Sequence, residues 1–269
     1  KELHSCLDFS NPYSTMIVTP VGKTMGGVNH FKWPICEEEQ LNDVVDDGFS
    51  DWSTHLENDD SIRHDSPSVA SDFVETLIIF DFDDTLFPTS WLQHGFRSES
   101  LLNEHHTEQL KILAERVLQV LHMALRLGRV VIVTNGLEGW VEMCCEEDMP
   151  SLMQIFAKVD IVSARSKYEN KSPDPSEWKR LAFQHEAELL EFAGATCATQ
   201  YNVIALGDSL HEQFAVKSLT EEKANYYGKF VKFLKAPTID QLIAQHEFVA
   251  SNLSDIVEHP GHLEVGIAL

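Results

Sequence analysis

The chain has 269 residues, 43 acidic against 20 basic side chains and a formal net charge of −23, with an isoelectric point near 4.8. That balance excludes a partner held through a phosphate backbone, because nucleic-acid binding needs a cationic footprint. No apolar run reaches the roughly 18 residues that span a bilayer, and five cysteines, an odd number with Cys144 and Cys145 adjacent, make no disulfide framework. The expected protein is soluble, sits in a reducing cytoplasm, and binds neither nucleic acid nor membrane.

The length suits one α/β domain with an extension. Residues 1–74 are interrupted by Pro12, Pro20, Pro34 and Pro67, show no sustained periodicity and carry nearly half of the net negative charge, which predicts an acidic, loosely structured, irregular N-terminal extension. Its aromatic residues Phe31, Trp33, Phe49 and Trp52 either pack on the following domain or dock a partner. Gly22-Lys23-Thr24 is not a nucleotide loop, since the glycine required five residues earlier is replaced by Ile17.

Residues 75–269 alternate strand and helix signals. Leu77–Phe80 reads as a buried strand. Glu104–Leu127 reads as a helix, with Leu110, Leu113, Val117, Val120, Leu121 and Leu125 on one face and Gly128 as its C-cap. Val130–Val133 is a second strand and Val159–Val162 a short third. Asp174-Pro175-Ser176-Glu177 starts a helix running towards Phe192, with an acidic cap, proline at its first position and a glutamate placed for a capping box. Val203–Leu206 is a fourth strand, Phe230–Leu234 a fifth, and Thr238 to about Ile256 a last helix. This alternation predicts a Rossmann-like three-layer α/β fold with a mainly parallel sheet joined by right-handed crossovers.

The chemistry gathers at the strand ends. The run Leu77 to Phe80 stops at Asp81-Phe82-Asp83-Asp84-Thr85. In a strand, alternation sends Asp81 and Asp83 to one side and Phe82 to the other. Two carboxylates in one small volume repel unless a cation or a proton lies between them, and hard oxygen ligands suit Mg²⁺. The second strand ends in Thr134-Asn135 and the fourth in Gly207-Asp208. In an open parallel sheet, ligands bind beyond the carboxyl ends of the strands, so these residues are expected to converge. An acidic cluster after one strand is more often a solvated turn; three polar strand ends in series outweigh that bland alternative.

These residues resemble the motifs of the haloacid dehalogenase-like hydrolase superfamily. The first motif matches Asp81-Phe82-Asp83-Asp84-Thr85, the second Val130-Val131-Ile132-Val133-Thr134, and the fourth Gly207-Asp208-Ser209-Leu210-His211-Glu212, together covering roughly residues 75 to 235. The resemblance implies Asp81 as a nucleophile forming an aspartyl-phosphate and Asp83 as the acid and base that serves the leaving oxygen and then water. It implies Mg²⁺ held by Asp81, the main-chain carbonyl of Asp83 and Asp208, with Glu212 as a more distant ligand where the usual residue is aspartate. Thr134, with N–H groups around Asn135 and Gly136, would bind the phosphoryl oxygens. For the phosphate-neutralising lysine, Lys167, Lys171 and Lys179 compete; Lys179, one turn into the capped helix, is favoured.

Neither gap between motifs leaves room for a sizeable cap domain. The first motif also resembles that of capless protein phosphatases in the superfamily, which implies a phosphorylated substrate, small molecule or protein, at an open site. The expected function is a Mg²⁺-dependent phosphatase. The alternatives are a catalytically idle binding module of the same fold and a phosphotransferase. His94, His105 and His106 lack metal-site spacing, Cys144 and Cys145 read as structural, and Trp91 and Trp140 either line the site or pack the core.

Overall fold

Leu77-Ile78-Ile79-Phe80 offers no polar face, so the strand it forms must be covered on both sides. The structure, a computed structural model, describes residues 74–95, 104–193 and 200–267. The expectations for residues 1–73, including the aromatic quartet, lie outside the described residues. The described chain runs β1 (Val74–Phe80), α1 (Thr89–Gly95), α2 (Glu104–Leu127), β2 (Arg129–Thr134), α3 (Trp140–Asp148), a 3-10 turn, α4 (Met153–Phe156), β3 (Asp160–Ser163), α5 (Ala164–Tyr168), α6 (Pro175–Ala193), β4 (Gln200–Gly207), α7 (Leu210–Glu222), β5 (Tyr226–Lys232), α8 (Ile239–Glu258) and β6 (Leu263–Gly266).

The six strands form one sheet in the order β3-β2-β1-β4-β5-β6, and every pairing is parallel. The chain leaves β1 towards β2 and β3, then returns to β1's other side for β4 to β6, so the direction of winding reverses beside β1. Phe80 is paired with Ile132 on one side and Leu206 on the other, which brings the ends of three strands to one level. That reversal opens the crevice where such sheets place their ligands.

On one face of the sheet, Ile78, Phe80, Ile132 and Leu206 join a core with Leu113, Val117 and Leu121 of α2 and Leu242, Val249 and Leu253 of α8. On the other face Leu77, Ile79, Val131, Val203 and Ala205 are equally buried, where α6 lies along β1 and β2 and α7 along β4 and β5. The result is the expected Rossmann-like three-layer fold. Between β1 and β2 the described elements are α1 and α2, and no cap domain is present among the described residues. No described helix is long and apolar enough to cross a membrane.

Several local readings change. Gly128 ends α2 without a left-handed cap; its role is clearance, because a Cβ there would lie 2.4 Å from the Thr76 carbonyl oxygen. The fifth strand starts at Tyr226, four residues ahead of the expected Phe230, and contains Gly228 and Lys229. Gly228 admits α7, since a Cβ would stand 2.6 Å from Val216 Cγ1. Elements α1, α7 and β6 were not anticipated.

Lys229 is fully buried, and its Nζ donates to the Val257 carbonyl at 2.6 Å, a last-turn carbonyl of α8 that also accepts from Asn202 Nδ2 at 3.2 Å. Helix ends leave such carbonyls without intrahelical donors. Burial, with no carboxylate to oppose it, pulls the Lys229 ammonium down to about 8. The unfolded chain then binds more protons than the folded one between about pH 8 and 10.4. Stability is expected to rise with pH across that window, by up to about 3 kcal/mol from this group. Urea titrations of the parent and Lys229→Met at pH 7.5 and 10 should show that gain largely lost in the variant.

Candidate active site at the ends of β1, β2 and β4

Beyond Phe80 the main chain continues one more ladder step, Asp81 N donating to Leu206 O at 2.9 Å, and then folds back sharply. The Phe82 carbonyl accepts from the N–H groups of Thr85, Leu86 and Phe87, and the Phe82 and Phe87 rings stack with centroids 5.3 Å apart. Asp84 takes a left-handed backbone (φ 53) at the turn. Its carboxylate accepts from Ser90 N at 2.7 Å and from the Ser90 hydroxyl, so Asp84 caps the start of α1. From behind, the buried His246 of α8 donates through Nε2 to the Thr85 carbonyl at 2.8 Å. Burial pulls that imidazole down to about 4, so it is neutral near pH 7 and acts as a hydrogen-bond strut.

The two first-motif carboxylates meet different surroundings. Asp81 is buried and its Oδ1 accepts from Lys179 Nζ at 2.6 Å. Asp83 is half-buried and, among the described residues, accepts from neutral donors: Thr89 Oγ1 at 2.6 Å and Trp140 Nε1 at 3.0 Å, both on Oδ1, and Thr134 Oγ1 at 3.3 Å on Oδ2. Of the three competing lysines, Lys179 reaches the site. It projects from the second turn of α6, is 3% exposed, and also donates to Glu212. Lys167 and Lys171 are exposed, Lys171 with its Nζ over the Tyr168 ring.

Glu212 lies in the first turn of α7 and completes a capping box with Ser209. Its Oε2 accepts from Ser209 N at 3.1 Å and Ser209 Oγ at 2.6 Å, while Oε1 faces Lys179. Gly207 makes this approach possible, since a Cβ there would lie 2.7 Å from Glu212 Cγ. With donors on both oxygens, Glu212 serves as the outer partner of Lys179.

Asp81, Asp208 and Glu212 each offer a carboxylate oxygen within 4.8 Å of the others; the Asp83 side chain is not in that group. Burial raises the Asp81 carboxyl above its ordinary value, the Lys179 ammonium opposing and Glu212 and Asp208 reinforcing the rise. Burial and then the Glu212 charge push Asp208 up to about 6. Burial also works against ionised Glu212, but the Lys179 ammonium and the Ser209 hydrogen bonds outweigh it and hold that carboxyl below its usual range. Burial likewise disfavours the Lys179 charge, and Asp81 and Glu212 overcome it to hold the ammonium above its usual value. Lys179 pairs with Asp81 and Glu212, and the Lys232 charge from β5 acts on Asp208 without overcoming its burial; the hard oxygens gathered here suit a divalent cation such as Mg²⁺.

The residues expected to bind phosphate lie around the end of β2. Thr134 is buried at the end of β2 beside Asp83. Gly136 N, expected to face a phosphoryl group, donates instead to Thr134 Oγ1 at 2.8 Å. Asn135 Nδ2 donates to the Pro175 carbonyl at 3.3 Å, tying this loop to the start of α6. Of the two tryptophans, Trp91 packs against the core and the His106 ring, whereas Trp140 reaches Asp83. Thr89 was missed altogether; the signal in the sequence is Pro88-Thr89-Ser90, a helix start just after the acidic run.

No protein-family model matches the chain, and no curated protein matches it significantly.

Removing Lys179 would strand two buried carboxylates. Lys179→Met is expected to lower stability by about 3–5 kcal/mol in chemical denaturation without divalent cations, with Asp81→Asn in the same chain recovering part of the loss. Millimolar Mg²⁺ should raise the melting temperature of the parent by several degrees through binding to the folded state, and Asp208→Asn should abolish that rise.

Proposed function

We propose that this chain is a Mg²⁺-dependent phosphatase of the haloacid dehalogenase-like type, hydrolysing a phosphomonoester through an aspartyl-phosphate on Asp81. The observation that carries the reading is the meeting of carboxylate oxygens of Asp81, Asp208 and Glu212 within 4.8 Å of one another, with Lys179, 98 residues from Asp81 in sequence, donating to both Asp81 and Glu212. Asp81, Asp208 and, at greater remove, Glu212 would hold the cation, with the main-chain carbonyl of Asp83 beside them. The cation would neutralise charge on the phosphoryl group and the attacking carboxylate.

An oxygen of Asp81 attacks phosphorus in line, forming the Asp81–phosphorus bond as the ester bond breaks, and protonated Asp83 gives its proton to the leaving oxygen. Asp83, now a carboxylate, takes a proton from water as that water attacks phosphorus and the Asp81–phosphorus bond breaks. Lys179 holds Asp81 against its neighbours' repulsion and offers positive charge to the phosphoryl oxygens, and the Thr134 hydroxyl donates to one of them. The different surroundings of the two aspartates suit these roles: an ammonium beside the nucleophile, neutral donors around the acid and base. Because α1 and α2 fill the described part of the first gap, the phosphate would arrive on a large substrate such as a phosphoprotein.

An aryl-phosphate assay with and without Mg²⁺ tests the reading. Metal-dependent turnover is expected, falling at least about 1,000-fold in Asp81→Asn and, because the second step loses the base that activates water, at least about 100-fold in kcat in Asp83→Asn. Absence of metal-dependent turnover in the parent, on aryl phosphates and on a phosphopeptide panel, would favour an idle binding module.

A further inference from the structure

Asp83 is held by donors from three separate elements, and they divide unequally between its oxygens. Oδ1 accepts two hydrogen bonds, from Thr89 Oγ1 at 2.6 Å and Trp140 Nε1 at 3.0 Å. Oδ2 accepts one long bond, 3.3 Å from Thr134 Oγ1, a hydroxyl that is itself accepting from Gly136 N. Thr89 opens α1 and Trp140 opens α3, so the carboxylate is gripped by the first residues of two helices on either side of the site.

The seat of Trp140 is built for this contact. Gly139 precedes it with φ 84, a left-handed turn that favours glycine. Gly136 lets the ring lie against the main chain: a Cβ at that position would come within 2.4 Å of Trp140 Cδ1. Trp140 also packs on the core cluster. Burying the ring would not by itself require two glycines and an indole N–H turned towards a carboxylate in the site.

We propose that Trp140 and Thr89 are positioning residues that anchor Asp83 through Oδ1 and leave Oδ2 as the oxygen that exchanges the proton. The inference rests on the phosphatase reading above and adds an atomic assignment to it. A carboxyl oxygen that already accepts two strong hydrogen bonds has no room to carry the proton, whereas Oδ2, weakly held, can turn its O–H to the leaving oxygen. In the first step that proton passes from Oδ2 to the departing oxygen as the ester bond breaks and the Asp81–phosphorus bond forms. In the second, Oδ2 takes a proton from the attacking water and inorganic phosphate is released. Without the two anchors the carboxyl group rotates and proton delivery suffers first.

Leaving-group dependence separates positioning from mere support of the fold. A departing nitrophenolate needs little proton assistance, whereas a departing alkoxide needs it fully. In Trp140→Phe and Thr89→Val, kcat/KM for an alkyl phosphate such as a phosphoserine peptide is expected to fall about 30-fold or more. The loss on 4-nitrophenyl phosphate should stay under about 5-fold, and Thr89→Ser should restore both. Binding has a readout independent of turnover: the Trp140 indole N–H resonance of ¹⁵N-labelled protein, assigned by its absence in Trp140→Phe, should shift upfield in Asp83→Asn. Equal losses on both substrates, or an indole resonance indifferent to Asp83→Asn in a folded protein, would overturn the positioning role while leaving the phosphatase reading intact. A parent that hydrolyses neither ester would overturn both.

Discussion

A buried ammonium among buried carboxylates is the constraint around which this molecule is arranged. Lys179 is the cation that pairs with both Asp81 and Glu212, and it does so from α6, an element that carries neither Asp81, at the end of β1, nor Glu212, on α7. Each of these charges would be costly to bury alone. The pairing ties α6 to the end of β1 and to α7 through Glu212, and the bare main chain at Gly207 leaves room for the Glu212 side chain. Even so, burial and the Glu212 charge push Asp208 up to about 6 against the opposing Lys232 and Lys179 charges. The apolar layers of the fold thus meet a tight cluster of carboxylate oxygens at the strand ends.

Around that centre, further side chains hold the strand-end carboxylates in place. Asp84 caps α1, His246 supports the loop after β1 from α8, Gln245 beside it accepts from Leu234 N at 2.6 Å, and Asn135 joins the loop after β2 to α6. Reacting groups placed on rigid elements and locked by such supports keep their geometry without reorganising during reaction. The loop holding Asp83 and Asp84 is short, folded on itself and bonded from three directions, which fixes the Asp83 carboxylate.

How much of this could be read from the sequence depended on whether each segment obeyed one rule or two. Strands β1, β2 and β4 are continuous apolar runs ended by polar residues, because both faces are covered and the ends face the crevice. Helix α2 shows one apolar stripe. Strand β5 hid behind Gly228 and Lys229, which serve its neighbours: the glycine admits α7, and the lysine caps α8. Strand β6 is four residues at the sheet's edge, too short and too little buried to show alternation. Helix α7 exposes Leu210 and Phe214, which blurs its stripe. At the site, Asp81, Asp83, Thr134 and Asp208 were legible because strand ends announce themselves. Lys179 was legible only as one of three, since its reach depends on how α6 crosses the sheet. The hydrogen bond from Trp140 was not legible, since it needs the left-handed turn at Gly139 and the bare surface of Gly136.

The strand order has a consequence for the chain's birth. The central strand pairs with a segment more than a hundred residues downstream, Val74 with Gln200 through Phe80 with Leu206, so the middle of the sheet closes late during synthesis. A growing polypeptide that has emerged only through α6 already carries Asp81 and Lys179, but one flank of β1 still lacks its neighbour. Such non-local pairing slows folding, and the unpaired flank invites wrong association until β4 arrives. Asp208 and Glu212, which follow β4 in the chain, can therefore join Asp81 and Lys179 only after that late pairing.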